Sequence, residues 1–212
     1  MKTLTKEMQA KITPAIALNL LQEGNKRFMN NLKVNRNLLQ QANETSDGQH
    51  PFAIILSCID SRTSVELIFD QGLGDVFSVR IAGTVINDDI LGSMEFACKL
   101  AGAKIIVVLG HSKCGAINGA CDDVELGYLT GLLEKIKPAV KEEKLKHNKM
   151  LTAETFVENV TAINVHHSVK TVLTKSPIIK TLVDKGLCGI IGGMHNITTG
   201  EVTFFEDTKA GF

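Results

Sequence analysis

No stretch of the 212-residue sequence reaches the roughly 18 consecutive apolar residues that a membrane-spanning helix requires. The N-terminus, Met1-Lys2-Thr3-Leu4-Thr5-Lys6-Glu7, also lacks an apolar core of signal-peptide length. A cytoplasmic location without a membrane partner is expected. Acids and bases cancel to a formal net charge of zero and are spread along the chain, so neither a basic patch for nucleic acid nor an anionic tail is foreseen. The five cysteines are odd in number and show no small-domain disulfide pattern. Reduced thiols serving metal binding or packing are the better reading. No Cys-x-x-Cys pair occurs, which disfavours a structural zinc with four protein ligands. Gly72-Leu73-Gly74 and Gly110-His111 fit neither Gly-x-Gly-x-x-Gly nor a Walker pattern, which disfavours a phosphate-binding module. Repeats and low-complexity segments are absent as well.

What remains is a chain with 44% hydrophobic residues, enough to bury the core of one ordinary domain. Residues 1–212 are expected to form a single α/β domain with an N-terminal helical arm over about residues 1–35. Within that arm, Ala15 to Met29 has a helical pattern entered through Thr13-Pro14. Its apolar stripe, around Leu18, Leu21 and Phe28, is expected to pack on a neighbouring chain. The polar stretch Asn35 to His50 reads as a loop. Three short branched-apolar runs, beginning at Phe52, Val76 and Ile105, read as strands.

Helical candidates follow at Ser64 to Gln71, Asp89 to Leu100, from about Cys114, at Leu129 to Glu143 and at Ala153 to Lys175, where Pro177 ends or kinks the helix. The charged cluster Lys141 to Lys149 reads as a solvated helix end and loop. Cys188 to Gly192 and Gly200 to Phe205 add two strands joined as a hairpin. Strands alternating with helices predict a mostly parallel central β-sheet flanked by helices, with a C-terminal edge strand.

Two segments carry the chemistry: Cys58-Ile59-Asp60-Ser61-Arg62, and His111-Ser112-Lys113-Cys114. Each follows a strand-like run, so their reactive side chains fall at the carboxyl edge of the sheet, where ligands of open α/β sheets gather. Cys58, His111 and Cys114 make a zinc site with three protein ligands and a fourth position free for water or substrate. Alternation in an extended chain would put Cys58, Asp60 and Arg62 on one side. Cys114 would open a helix, whose N-terminus favours a thiolate. The bland alternative makes Cys58 and Cys114 buried packing residues and His111 a satisfied edge histidine. Arg62 is one of only four arginines against nineteen lysines. Its place two residues from a candidate metal carboxylate favours a functional role over a surface ion pair. Arg80 ends another strand, and sequence leaves its role open. Cys98, Cys121 and Cys188 read as packing residues. His166 and His167 point about 100° apart on a helix and do not chelate one ion. His167 continues the row Phe156, Val160, Ile163, which favours packing. His195 receives no role.

Taken in order, Glu23 to Phe28, Leu56-Ser57-Cys58-Ile59-Asp60-Ser61-Arg62, Arg80-Ile81-Ala82-Gly83, Leu91 to Glu95 and Leu109 to Ala116 resemble the β-class carbonic anhydrases over most of the chain. The resemblance implies Zn2+ on Cys58, His111 and Cys114, with Asp60 and Arg62 as a catalytic dyad, and a homodimer or homotetramer. It implies reversible hydration of carbon dioxide to bicarbonate and a proton through a zinc-bound hydroxide. Asp60, held bidentately by Arg62, would accept a hydrogen bond from that hydroxide, or would itself become the fourth zinc ligand and close the site. Some relatives bind bicarbonate at a regulatory site built with a tryptophan and a tyrosine. This chain has no tryptophan and only Tyr128, so that form of regulation is not expected.

Two other readings compete. A hydrolase of carbon disulfide or carbonyl sulfide would keep the same ligands and change access. A non-catalytic zinc scaffold would need neither Asp60 nor Arg62, and their presence speaks against it.

Overall fold

The computed structural model describes residues 3–146 and 151–212. Among these residues, ten α-helices and five strands follow one another as α1 Lys6–Ala10, α2 Pro14–Met29, α3 Leu38–Glu44, β1 Ala53–Ser57, α4 Val65–Ile68, β2 Val76–Arg80, α5 Asp88–Glu95, β3 Ile105–His111, α6 Gly115–Cys121, α7 Gly127–Leu133, α8 Lys137–Leu145, α9 Ala153–Lys175, α10 Pro177–Asp184, β4 Gly189–His195 and β5 Val202–Ala210. The sheet order is β2-β1-β3-β4-β5. The first four strands are parallel, and β5 returns antiparallel along the β4 edge. Every residue of β1 and β3 is buried, which is why they read as unbroken apolar runs rather than alternating ones. None of the described helices is long and apolar enough to cross a membrane.

Side-chain alternation divides the core. Ile54, Leu56, Ile106, Val108 and Ile190 face α5, α9 and α10. Ala53, Ile55, Ile105, Val107, Leu109 and Ile191 face the opposite side, where Ala17, Leu18 and Leu21 of α2 and Val65, Ile68 and Phe69 cover them. The apolar stripe of α2 thus lies on its own sheet. This corrects the expectation of a neighbouring chain for Leu18 and Leu21, both buried, and leaves only Phe28 partly exposed. A third apolar cluster around Cys58, Cys114, Ile117, Ile136 and Val160 roofs the carboxyl edge.

Local chemistry explains the other departures. The segment read as a loop contains α3, capped by the Asn37 side chain, which accepts the Gln40 N–H at 3.0 Å. Only Gln41 of that helix is buried, so no apolar stripe announces it. The single helix expected over Leu129 to Glu143 is two, because Pro138 lies in the first turn of α8 and its ring cannot follow a continuous helix. Pro177 ends α9 and also starts α10, whose Ser176 cap accepts the Ile179 N–H at 3.1 Å. The helix expected from Ser64 shrinks to one turn. Lys141 to Lys146 form the end of α8 and a turn, and residues 147–149 of that charged cluster lie outside the described residues.

A buried ion cluster ties α2 to the loop after α4. Asp70 is 5% exposed and accepts from Arg27, Arg36 and the Val34 backbone. Burial pushes its carboxyl up, but the two guanidinium hydrogen bonds outweigh this and hold it below the ordinary value. Its contribution is present at neutral pH and is lost as pH falls through that lowered value. Asp70→Asn keeps a residue tolerant of the positive φ of 45° here but leaves two cations uncompensated. A loss of about 3 kcal/mol in urea unfolding is expected.

Candidate metal centre

The strand order reverses at β1 and β3. The chain lays β2 on one side of β1, crosses over, and adds β3 on the other. The crevice beyond the carboxyl ends of such a pair is where α/β sheets bind ligands, and both motif segments emerge there. Cys58 follows the last residue of β1, His111 is the last residue of β3, and Cys114 caps α6. The ligand atoms of Cys58, His111 and Cys114 all lie within 4.8 Å of one another. Among the described residues, no other trio of His, Cys, Asp or Glu approaches so closely.

The trio has the chemistry of a metal-binding set. The two sulfurs are 4.0 Å apart. His111 Nδ1 lies 2.9 Å from the Ser112 carbonyl, which can only accept, so the proton sits on Nδ1 and Nε2 presents a lone pair. Nε2 is buried with no hydrogen-bond partner among the described residues. The Cys58 thiol is lowered to about 4, first by the Cys114 thiol, then against burial by His111 and by the backbone N–H groups of Asp60 and Gly83. Cys114 is pushed up by the Cys58 sulfur beside it and by burial, against N–H groups of Ile117 and Ala116. A dication between the sulfurs removes the reason for Cys114 to keep its proton. The residues fit zinc.

Beside the trio, Asp60 and Arg62 form a bidentate pair. Arg62 Nε donates to Oδ1 at 2.9 Å and Nη2 to Oδ2 at 2.7 Å, and the Arg62 backbone N–H adds 2.9 Å to Oδ1. The hydrogen bonds from Arg62 hold the Asp60 carboxyl well below the usual range. Asp60 is therefore an anion with one carboxylate edge fully engaged.

A family model described as carbonic anhydrase matches residues 53–202. Carbonic anhydrase 2 of Mycobacterium tuberculosis is 34% identical over 88% of this chain and 90% of its own. The chain belongs to the β-class carbonic anhydrases. A carbonic anhydrase of Mycolicibacterium smegmatis is 33% identical over 89% of this chain and 92% of its own. Among solved structures, the β-carbonic anhydrase CcaA superposes with a TM-score of 0.71 at 29% identity, covering 89% of this chain and 87% of that one. One of two tetrameric β-carbonic anhydrases of Sordaria macrospora superposes at 0.72 and 24% identity, over 90% and 94%.

Three features of this carbonic anhydrase escape a reading of sequence. Arg80, left open above, donates from Nε to the Cys58 carbonyl at 3.0 Å and from Nη2 to the Asp60 carbonyl at 2.6 Å. It holds the backbone that presents both side chains. Thr63 adds its hydroxyl to the same two carbonyls. His195 pairs in register with His111 and is 2% exposed, with neither ring nitrogen partnered among the described residues. Burial, then the proximity of His111, lowers it to about 4. Only its place at the end of a third parallel strand could have drawn attention to it.

The remaining candidates fall away from the site. Cys98 and Cys188 touch at 3.5 Å in the core, and Cys121 packs at the rim of the roofing cluster. His167 is not a packing residue. It lies partly exposed with Nε2 2.8 Å from Glu142, while His166 meets Asp207 at 2.9 Å.

Proposed function

We propose that this carbonic anhydrase catalyses the zinc-dependent, reversible hydration of carbon dioxide to bicarbonate and a proton. The observation that carries the reading is a two-sulfur, one-imidazole trio at the switch point of the sheet, flanked by a carboxylate that an arginine holds bidentately. Cys58, His111 and Cys114 would hold the metal. When bound, zinc acts as a Lewis acid that brings the pKa of water toward neutrality and so makes a nucleophile available.

The other work belongs to the chain. Asp60, kept ionised by Arg62, accepts a hydrogen bond from water at the site and orients its lone pair toward carbon dioxide. Arg62 restrains that carboxylate from becoming a fourth ligand. Arg80 fixes the Cys58–Asp60 backbone, so the sulfur and the carboxylate keep one relative placement. A scaffold needs none of this polar support.

The test is direct. Purified protein should contain one zinc per chain and release protons rapidly on mixing with carbon dioxide, and more slowly with carbon disulfide as comparison substrate. Zinc without any hydration would sink the reading.

The assembly we propose is a homodimer or a multiple of it, as in the Sordaria macrospora relatives described as tetrameric. Ile59, 61% exposed between Cys58 and Asp60, supports it. Sedimentation of an active monomer at assay concentration would refute it. The cytoplasm, which keeps thiols reduced, suits the ligand set.

A further inference from the structure

The turn between His111 and Cys114 passes through two residues outside the trio, Ser112 and Lys113. Ser112 is 6% exposed, and each of its polar groups is engaged. Its N–H donates to the His195 carbonyl at 2.9 Å, its Oγ accepts the Ile197 N–H at 3.0 Å, and its carbonyl lies 2.9 Å from His111 Nδ1. The loop that presents Ile197, between β4 and β5, is itself fixed from two sides. Asn196 Oδ1 accepts the Thr198 and Thr199 N–H groups at 2.8 and 3.1 Å. The buried Asn25 of α2 donates to the Gly200 carbonyl at 2.8 Å and accepts the Val202 N–H at 2.9 Å.

Lys113 shows what these contacts work against. Its φ is 55°, in the left-handed region that glycine enters freely and a lysine does not. Rotating the Ser112–Lys113 peptide by about half a turn would return Lys113 to negative φ, as in the exchange between the two common β-turns. The same rotation would swing the Ser112 carbonyl off the imidazole. The Lys113 side chain offers little in return, because its partner Glu154 stands 3.6 Å away and both are exposed. Strain of this kind persists only where the surroundings hold it.

We propose that Ser112 is a positioning residue for the metal centre: its hydroxyl, anchored on the Ile197 N–H, holds the Ser112–Lys113 peptide in the strained orientation that keeps its carbonyl on His111 Nδ1. The inference rests on His111 binding metal through Nε2. An imidazole whose other N–H is engaged keeps one tautomer and one ring orientation, and its ligand nitrogen is the more basic for it. The β4–β5 loop, which supplies no ligand, thereby sets the pose of one.

Ser112→Ala deletes the anchor and leaves the carbonyl free to rotate. Cobalt-substituted protein supplies the signature, because the Nδ1–H of a cobalt-bound histidine gives a hyperfine-shifted resonance whose exchange with solvent slows when a carbonyl holds it. That exchange should quicken about tenfold in Ser112→Ala, and zinc should bind about tenfold more weakly in competition with a chelator. Adding Lys113→Gly removes the strain that drives the rotation, so S112A/K113G should regain most of the affinity and the slow exchange. A merely structural role would leave the ring N–H as it is in the parent. If exchange and affinity in Ser112→Ala both match the parent, the proposal is wrong. Should Ser112→Ala fail to fold, Ser112→Thr and Ser112→Val, matched in shape and differing in the hydroxyl, carry the same test. The threonine should match the parent and the valine should lose affinity, and equal behaviour of the two would overturn the proposal. A parent whose cobalt form shows no hyperfine-shifted ring N–H would overturn His111 as ligand, and the inference with it, a failure read without any variant.

Discussion

Alanine at Cys58, His111 or Cys114 should remove zinc and carbon dioxide hydration together. Zinc sites with four protein ligands bind with about 10–16 kcal/mol, so one ligand accounts for roughly 3 kcal/mol, a factor above about 100 in affinity. The remaining pair is poorer still, because the sulfurs and Nε2 are mutually placed within 4.8 Å for one ion. Hydration should fall to the uncatalysed background in all three variants. Zinc content by elemental analysis and proton release by stopped flow are the measurements. Cys121→Ala is the control, since that thiol packs at the rim of the roofing cluster and should leave both unchanged. Full zinc in all three alanine variants would remove the ligand assignment.

The dyad separates metal binding from turnover. Asp60→Asn should retain zinc, since the trio is untouched, while hydration drops about 100-fold, the lower end for loss of a positioned acid–base group. An amide binds Arg62 weakly and can present N–H where the carboxylate only accepts. Arg62→Ala should lower the rate as well, and by a different route. Without the two side-chain hydrogen bonds at 2.9 and 2.7 Å, Asp60 is free to swing onto the metal. A crystal structure should then show a carboxylate oxygen about 2.0–2.2 Å from zinc.

The pH dependence separates the two variants further. Because Arg62 holds Asp60 well below the usual carboxylate range, Asp60 stays ionised throughout the neutral and mildly acidic region. Any acid limb there belongs to another group and should persist in Asp60→Asn. Wild-type rates for Asp60→Asn across pH would show that the dyad has no catalytic part.

Some of this was legible before any coordinates. β1 and β3 announce themselves because both faces are covered, so their residues run apolar without interruption. Cys58 and His111 then fall at strand ends, where a reader of α/β sheets looks first. The dyad is local, two residues apart on one turn, so spacing brings a carboxylate and a guanidinium to one place, and it was the family resemblance that implied their pairing. The neighbours of Arg80 and His195 could not be foreseen. Arg80 meets the carbonyls of Cys58 and Asp60, distant in sequence, and a polar residue in a strand carries no mark of which backbone carbonyl it will meet. The register that sets His195 beside His111 is equally unmarked. The stripe of α2 misled for a related reason. An amphipathic helix shows that a partner surface exists, and only the topology shows that the surface is the chain's own sheet.

The order of the strands also sets when the metal can be captured. His111 and Cys114 are close in the unfolded chain, but Cys58 joins them only when β3 has found β1 across the intervening crossover. Pairings of that kind are slow to form. Metal cannot template the early steps of folding, and it favours only the finished topology. Conversely, opening the carboxyl ends of β1 and β3 parts the ligands even when the rest of the sheet holds. The rate at which a metal held by the proposed trio is lost to a chelator would therefore be a clock on the separation of those two strands.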